Sequence, residues 1–426
     1  MVAVAVSERR RDRICVVRQH YVPRDSRVAR AAGTLVDAGF AVDVICLRAA
    51  GEPARERHGH LRIHRLPLRH HPGAGGLAYA AEYAAFLVAA SVVVAVRHLG
   101  RRYRVVQIHS LPDVLVIAGL LPRLLGARVL LDLQECMPEF FASKFGVGAG
   151  HPVVRLLEYL EQWAIRRADH VVTPTDQMRA VFVGRGADPE RITTVMDGAD
   201  PRFFAPSATT RPPCESATFT MISHGTIEEH YGLDTVLRAL VLLRDRIPGL
   251  RLELYGDGSD VPRLRRMVDD LGLADLVFFS GGFVPLPELV DALGRADVGV
   301  LALRRDPFRD VALPGKIFDF VAMGLPVVAS RTRSMEETFG ACVELFTADD
   351  PEDLARALLA LHRDPARRAA LVVGAWAVGE PLRWEYQAQR YLAVVAGLLD
   401  GRSAPVGHAC AAATGPPVET ASDRRA

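Results

Sequence analysis

The sequence predicts an α/β protein of two doubly wound, Rossmann-like domains facing one another across a cleft. Three observations predict it. A chain of 426 residues exceeds one ordinary domain, and two of about 200 residues each is the natural division. Apolar β-rich runs alternate with helical patterns from one end to the other, the signature of parallel sheets. The alternation stops over 201–217 (PRFFAPSATTRPPCESA), a Pro-, Ser- and Thr-rich stretch without period, and then restarts. The interdomain linker belongs there.

In order, RICVVRQ (13–19) reads as a strand, RVARAAGTLVDAG as a helix and FAVDVICL as the next strand. The run VVQIHS, the helix PDVLVIAGLLPRLLG and the strand ARVLLDLQE repeat the unit. A long helix over 152–168 leads into DHVVTPT, a further helix and the strand RITTVMDG, closing a first domain over 13–203. The second, over 217–382, runs FTMISHGT, a helix from Gly232, LRLELYGDG, a helix to Gly272, DLVFFSG, a helix, DVGVLAL, a helix and LPVVAS. Two more helices are expected, near 351–362 and over 383–399, before a disordered Ala-, Pro-, Gly- and Ser-rich tail at 401–426.

Composition narrows the function. With 52 basic and 50 acidic residues the net charge is +2, which leaves no footprint for nucleic acid. Only two of the basic residues are lysines, Lys144 and Lys316, in a chain that otherwise uses arginine. A lysine kept there marks a place where a compact point charge matters. The six cysteines have no metal spacing and read as buried reduced thiols. The N-terminal MVAVAVSERRRDR has no apolar run of signal-peptide length, so the expectation is a cytoplasmic protein. The stretch at 77–96 approaches the length of a membrane span but carries Glu82. A buried or partly exposed helix is the better reading; an interfacial helix on the inner face of a membrane and a true span are the alternatives.

In open α/β sheets ligands bind beyond the carboxyl ends of the strands, and that rule selects the candidate residues. Foremost is LPGKIFDFVAMGLPVVAS: Leu313, Pro314 and Gly315 precede a helix whose first turn carries Lys316 and then Asp319. Free amides at a helix start and a lysine suit a phosphate, and a carboxylate suits sugar hydroxyls. A solvated amphipathic helix would show the same pattern. Gly225, Thr226 and His230 lie on a second strand-to-helix loop, and Gly256 and Gly258 form a G-x-G that lacks the third glycine of a dinucleotide site. His109 ends an apolar strand before Pro112 and should face the cleft, as a catalytic or a structural residue. Arg27, Gln134, Glu135 and Glu139 stand at the corresponding ends in the first half, where carboxylates bind acceptor hydroxyls or cap helices.

Taken together these motifs resemble the family-4 retaining glycosyltransferases of the GT-B fold over nearly the whole ordered length. The match rests on VRQHYVPRDSRV, IHSLPDVLV, GLLPRLLGARVLLDLQECMPEFFASKFG, RADHVVTPTDQM, VMDGAD, HGTIEEHYGLD, YGDGSD and the Lys316 motif. The resemblance implies that the C-terminal domain holds a nucleoside diphosphate sugar, with Lys316 on the diphosphate, Asp319 on ribose and the 224–232 loop facing the phosphates or sugar. It implies that His109 and the 134–139 segment meet the acceptor, and that the helix over 383–400 crosses back onto the N-terminal domain. It also implies retention of anomeric configuration and no metal or other cofactor.

The chain departs from that pattern at several positions. Thr226 and Tyr231 replace the usual Arg and Lys, Gln134 a His, Asp197 an Asn and Asp319 a Glu; Val311 replaces another Glu, beside Asp310. His230, Arg304 and Arg305 are candidates to restore the missing charge. The expected activity is transfer to a small-molecule, lipid-linked or oligosaccharide acceptor in polysaccharide or secondary-metabolite biosynthesis. A catalytically inactive binding homologue and a sugar-nucleotide epimerase are the rival readings.

Overall fold

The computed structural model describes residues 12–22, 24–71, 76–204 and 218–401. The expected tail and most of the expected linker lie outside the described residues, as do Cys214 and Cys410. The four described cysteines are all free and buried.

The first domain is built from β1 (Arg13–Tyr21), α1 (Ser26–Asp37), β2 (Ala41–Leu47), β3 (Arg55–His58), β4 (Leu61–Leu66), α2 (Gly76–Arg101), β5 (Val105–His109), α3 (Leu120–Leu124), β6 (Arg128–Asp132), α4 (Met137–Phe145), α5 (Pro152–Arg167), β7 (His170–Thr173), α6 (Asp176–Gly184) and β8 (Ile192–Thr194). Its sheet has the order β3-β4-β2-β1-β5-β6-β7-β8, parallel except for the β3–β4 hairpin. Ile14 lies opposite Val42 on one side and Val105 on the other, so the chain reverses its winding at β1. The central strands are mostly apolar because helices cover both faces, with Asp43, Gln107 and His109 as buried polar exceptions.

The second domain follows with β9 (Phe219–Thr226), α7 (Leu233–Leu243), β10 (Leu250–Asp257), α8 (Val261–Asp270), β11 (Val277–Phe279), α9 (Leu286–Arg295), β12 (Val298–Leu301), α10 (Lys316–Ala322), β13 (Val327–Ser330), α11 (Arg333–Phe339), β14 (Glu344–Phe346), α12 (Pro351–Arg363) and α13 (Pro365–Gly379). Its all-parallel order, β11-β10-β9-β12-β13-β14, puts the switch point between β9 and β12. The last helix, α14 (Trp384–Asp400), leaves this domain and lays Tyr391, Val394, Val395 and Leu398 against α1 and the first sheet.

Two expectations need correction. The helix read over 112–126 is a 3-10 turn at Asp113–Gly119 followed by the short α3. Helix α13 and the β3–β4 hairpin were not anticipated. Helix α2 is the partly exposed one of the two forms expected: Phe86, Ala90 and Val94 join the first core, while only 17% of its most apolar window is buried.

The domains touch at two places. The loop carrying Phe308, Val311 and Ala312 packs into the first core, and Thr175 Oγ1 donates to the Val311 carbonyl at 2.7 Å. On the other side Met196 and Ala199 join the core of the second domain. Gly198 passes so close to the start of α14 that a Cβ would lie 2.5 Å from both the Leu382 carbonyl oxygen and the Trp384 nitrogen.

Candidate active site

Beyond the β9–β12 switch point the polar groups lack protein partners. Lys316 Nζ lies over the Tyr231 ring, 3.8 Å from its centroid, and reaches the Thr226 carbonyl only at 3.4 Å. No carboxylate pairs with it among the described residues, and burial pulls its pKa down to about 7. Asp319 is its mirror image: burial raises its carboxyl to about 7, with Arg30 pulling the other way. His224 Nε2 stands 3.6 Å from Asp319 Oδ2, too far for a hydrogen bond, and has no other partner. Burial, with Lys316 adding to it, keeps this imidazole neutral by lowering it to about 3. Unpaired buried polar groups cost free energy in the free protein, and their concentration at one strand end marks a binding site.

The backbone around them is shaped by close approach. A Cβ on Gly256 would sit 1.8 Å from the Gly225 carbonyl oxygen, and one on Gly258 would sit 2.0 Å from that of Ile227. The G-x-G therefore lets the β10–α8 loop pack beneath the β9–α7 loop, and does not itself form the floor of a ligand site. Gly225 faces the ligand side, with Lys316 Cε 3.1 Å from where a Cβ would stand. At Leu313–Pro314–Gly315 the amides of Ile317 and Phe318 donate back to Pro314 and Gly315, so the helix start offers fewer free amides than expected. Because α10 is only seven residues long, the Lys316 charge outweighs its dipole as an anion-binding element.

In the first domain the structure differs from expectation. His109, expected to face the cleft, is 0% exposed and enclosed by polar partners. The Tyr391 hydroxyl, from α14, donates to Gln107 Oε1, so Gln107 Nε2 donates to His109 Nε2 at 3.0 Å. The proton then belongs on Nδ1, which faces Asp132 Oδ2 at 3.2 Å. Gln134 completes this cage with its amide 2.9 Å from the same Nδ1; with the proton there, the amide must turn its oxygen, not its nitrogen, towards the imidazole. Asp132 also holds Arg27, whose Nη1 donates to Asp197 Oδ1 at 2.8 Å. Burial would raise the Asp132 carboxyl, but Arg27 and His109 outweigh it and hold it well below the usual range. Arg27 is thus a tie between α1, β6 and the 195–197 segment. Glu139 is likewise occupied by Arg185.

Glu135 is the exception in that segment. Like Glu139 it has a buried Oε2 without a partner, but no ion pair holds its other oxygen among the described residues; burial raises the carboxyl while Arg18 opposes it. Its charge acts on Tyr83 in the first domain and, more weakly than Arg309 and Glu228, on Tyr231 in the second. Among the candidates for replacing the missing charge, Arg304 is tied to Asp234 and Asp349, and Arg305 to Asp310. Burial lowers His230 to about 4, with Arg309 next in effect, so it is neutral. The arginine whose charge reaches both His230 and Tyr231 is Arg309, which is held by Asp306 and which the sequence did not single out. Val311 is buried at the interdomain contact and contributes no carboxylate. No cluster of three or more metal-ligating side chains occurs among the described residues.

The comparisons with known proteins agree with this architecture. Residues 25–198 match a family model described as a glycosyl transferase 4-like domain, and residues 218–364 one described as glycosyl transferases group 1. The D-inositol 3-phosphate glycosyltransferase of Thermomonospora curvata is 30% identical over 58% of this chain and 61% of its own length. The GDP-mannose-dependent alpha-(1-6)-phosphatidylinositol monomannoside mannosyltransferase of Mycolicibacterium smegmatis is 28% identical over 60% of this chain and 70% of its own. The chain spans about three fifths of the length of the first of these curated relatives (61%). Among solved structures, sucrose-phosphate synthase from Thermosynechococcus elongatus has a TM-score of 0.73 at 19% identity, covering 92% of this chain and 100% of that one. HepE from Anabaena, in complex with UDP, has a TM-score of 0.66 at 14% identity over 91% and 100%. These structures share the GT-B fold. The chain belongs to the group 1 glycosyltransferases of family 4.

Proposed function

We propose that this glycosyltransferase moves a sugar from a nucleoside diphosphate sugar to an acceptor hydroxyl, with retention of configuration and without a metal ion. The observation that carries the reading is Lys316: an unpaired, partly desolvated lysine at the switch point of the second domain, next to the unpaired Asp319. An anion arriving there gains a charge-assisted contact and keeps the lysine protonated. Lys316 then stabilises charge on the departing diphosphate, the task a metal would otherwise perform. Asp319 takes the ribose hydroxyls, and the Thr226–Tyr231 loop closes over the phosphates. Retention requires the acceptor hydroxyl to attack on the face the diphosphate leaves, so its proton can pass to a diphosphate oxygen and no protein base is needed. The burial of His109 and the replacement of a histidine by Gln134 fit that route.

The acceptor enters from the first domain, where Glu135 is free to accept a hydrogen bond from its hydroxyl. Relatives are named for D-inositol 3-phosphate and for a phosphatidylinositol monomannoside, and by that likeness the acceptor is a phosphate-bearing molecule. A cytoplasmic setting in polysaccharide or secondary-metabolite biosynthesis, peripheral at the membrane, suits such an acceptor. Calorimetric titration with UDP, GDP, dTDP and NAD, on wild type and Lys316→Ala, tests the donor site. Selective binding of one nucleoside diphosphate, lost in the variant, is expected. Binding of none would return the chain to the inactive reading. Anomeric proton couplings of the product, formed in EDTA, test retention and metal independence.

A further inference from the structure

Helix α2 is apolar on both sides, although such a helix normally lies wholly inside a protein or a membrane. Phe86, Ala90 and Val94 face the core and are fully buried. The opposite side runs Ala81, Ala85, Val88, Val92, Val96 and Leu99, all exposed, with Val96 at 64% and Leu99 at 67%. No charge interrupts that stripe. Helix α3 lies beside it and adds Leu124, which is 84% exposed. Of the nineteen large hydrophobic side chains exposed among the described residues, twelve fall between 88 and 159, in the first domain. Scattered apolar residues need no explanation; a contiguous patch does.

Beneath the same helix a cavity of about 270 Å³ opens between α2, the 112–114 turn, α4 and α5. Its walls include Tyr83, Ala84, Leu87, Met137 and Leu160, and its one acid, Asp113, is held neutral by burial. An apolar cavity of about 150 Å³ stays dry and takes up benzene, so this one has room for a longer hydrocarbon. Tyr83 and Met137 line its wall, and Met137 lies two residues along the chain from Glu135, whose charge acts on Tyr83. At the level of Tyr79, one turn before Tyr83, stands Lys144, its Nζ 4.6 Å from the Tyr79 ring centroid. It makes no ion pair among the described residues; nearby His70 and His71 are taken by Glu82.

We propose that the cavity under α2 holds the hydrocarbon chain of a lipid phosphate acceptor, with Lys144 on its phosphate, while the exposed stripe of α2 rests in the membrane that supplies it. The proposal rests on the glycosyltransferase reading for the use of the site, not for its existence. A bilayer accounts for features that a soluble acceptor leaves unexplained: an uncharged stripe along most of a helix, a largely apolar cavity beside it, and a lysine without an ion pair among the described residues, close to Tyr79 of that helix. The stripe lies flat on the domain, since its buried side is part of the core, so α2 sits in the interface and does not span it.

The test uses the full chain with two probes: vesicles of phosphatidylcholine and phosphatidylglycerol, and dodecyl phosphate below its micelle concentration. Wild type is expected to sediment with the vesicles, and Val92→Glu with Val96→Glu to lose at least tenfold in that binding. Both positions are exposed, so folding is spared. Ala84→Trp, which fills the cavity, and Lys144→Ala are each expected to weaken dodecyl phosphate at least tenfold. Dodecanol should be weakened by the first variant only, and inorganic phosphate should bind neither variant nor wild type tightly. Nucleoside diphosphate titration of each variant reports folding and the donor site separately. Its loss in wild type with lipid binding intact would sink the enzymatic reading but not this site. Indifference of wild type to both probes, or a second copy of the chain covering the stripe in sedimentation velocity, would overturn the proposal.

Discussion

If Lys316 loses its proton near pH 7 in the free protein, ligand binding must return it. Burial sets its pKa at about 7 because no carboxylate pairs with it, and a bound diphosphate supplies the missing counter-charge. At pH 8 the free lysine is about one-tenth protonated and the bound one fully so, giving uptake of about 0.9 proton per nucleotide. The diphosphate is itself fully ionised there, so Lys316 is the main source of linkage. Affinity should then fall about tenfold between pH 7.5 and 8.5. Calorimetry in buffers of different ionisation enthalpy measures the uptake directly. Lys316→Ala should bind about ten- to a hundredfold more weakly, the value of a charge-assisted contact of about 1.5–3 kcal/mol, and take up no proton. Lys316→Arg, charged at every pH, should bind without pH dependence. Wild-type affinity that is flat from pH 7.5 to 9, with no proton uptake, would refute the reasoning even if nucleotide binds.

Three further predictions follow from buried groups and close backbone contacts. Asp132→Asn should cost about 3 kcal/mol in urea denaturation, the lower end for a broken buried pair because Asp197 still holds Arg27; a loss below about 1 kcal/mol would mean the network is incidental. Asp319 titrates at about 7 when folded and near 3.8 when unfolded, so its contribution is present at pH 4 and lost as pH rises through 7. Asp319→Asn should therefore match wild type in melting temperature at pH 4.5 and exceed it at pH 8, and an equal difference at both pH values would contradict the shift. Gly256→Ala should destabilise by at least about 2 kcal/mol, since its φ is +141° and the Gly225 carbonyl blocks the new methyl. Gly33→Ala, with open space inside α1, should be neutral or stabilising by up to about 1 kcal/mol; similar effects at both sites would show that the loop contact is soft.

Much of the architecture was legible because period and punctuation agree. The largely apolar strands announce parallel sheets buried on both faces, and the aperiodic 201–217 stretch separates the two runs. What local pattern missed depends on tertiary context. The strand RERH is short and polar because it forms an edge, and it reads as loop until β4 pairs with it. At 113–119 a helical pattern tightens into a 3-10 turn, a change of hydrogen bonding that apolar spacing does not record.

For the site, the division is sharper. Lys316 stood out because arginine replaces lysine nearly everywhere else in the chain. His109 was misplaced for a physical reason: strand-end position gives direction along the sheet, not what covers it. The cover comes from Tyr391, 284 residues after the Gln107 it holds, and from Asp132 on the next strand. Arg27 and Glu139 failed likewise, because long charged side chains turn towards partners that no local spacing reveals.

The departures from the family pattern are best understood jointly. Removing two positive charges from the phosphate loop would weaken diphosphate binding if nothing else changed. Yet Tyr231 supplies a ring on which Lys316 rests, and the desolvation there draws its pKa to about 7. Fewer fixed charges thus leave one cation that becomes fully charged only when an anion is present. Across the cleft Asp197 gathers Arg27 and Arg30, and Arg30 is the charge that tempers Asp319. The carboxylate added at Asp197 therefore holds a cation of the first domain whose charge acts on Asp319 of the second. Both exchanges replace charges fixed in one loop with interactions between segments. At the proposed donor site the charge of Lys316 depends on the ligand, and the influence of Arg30 on Asp319 depends on how the two domains meet.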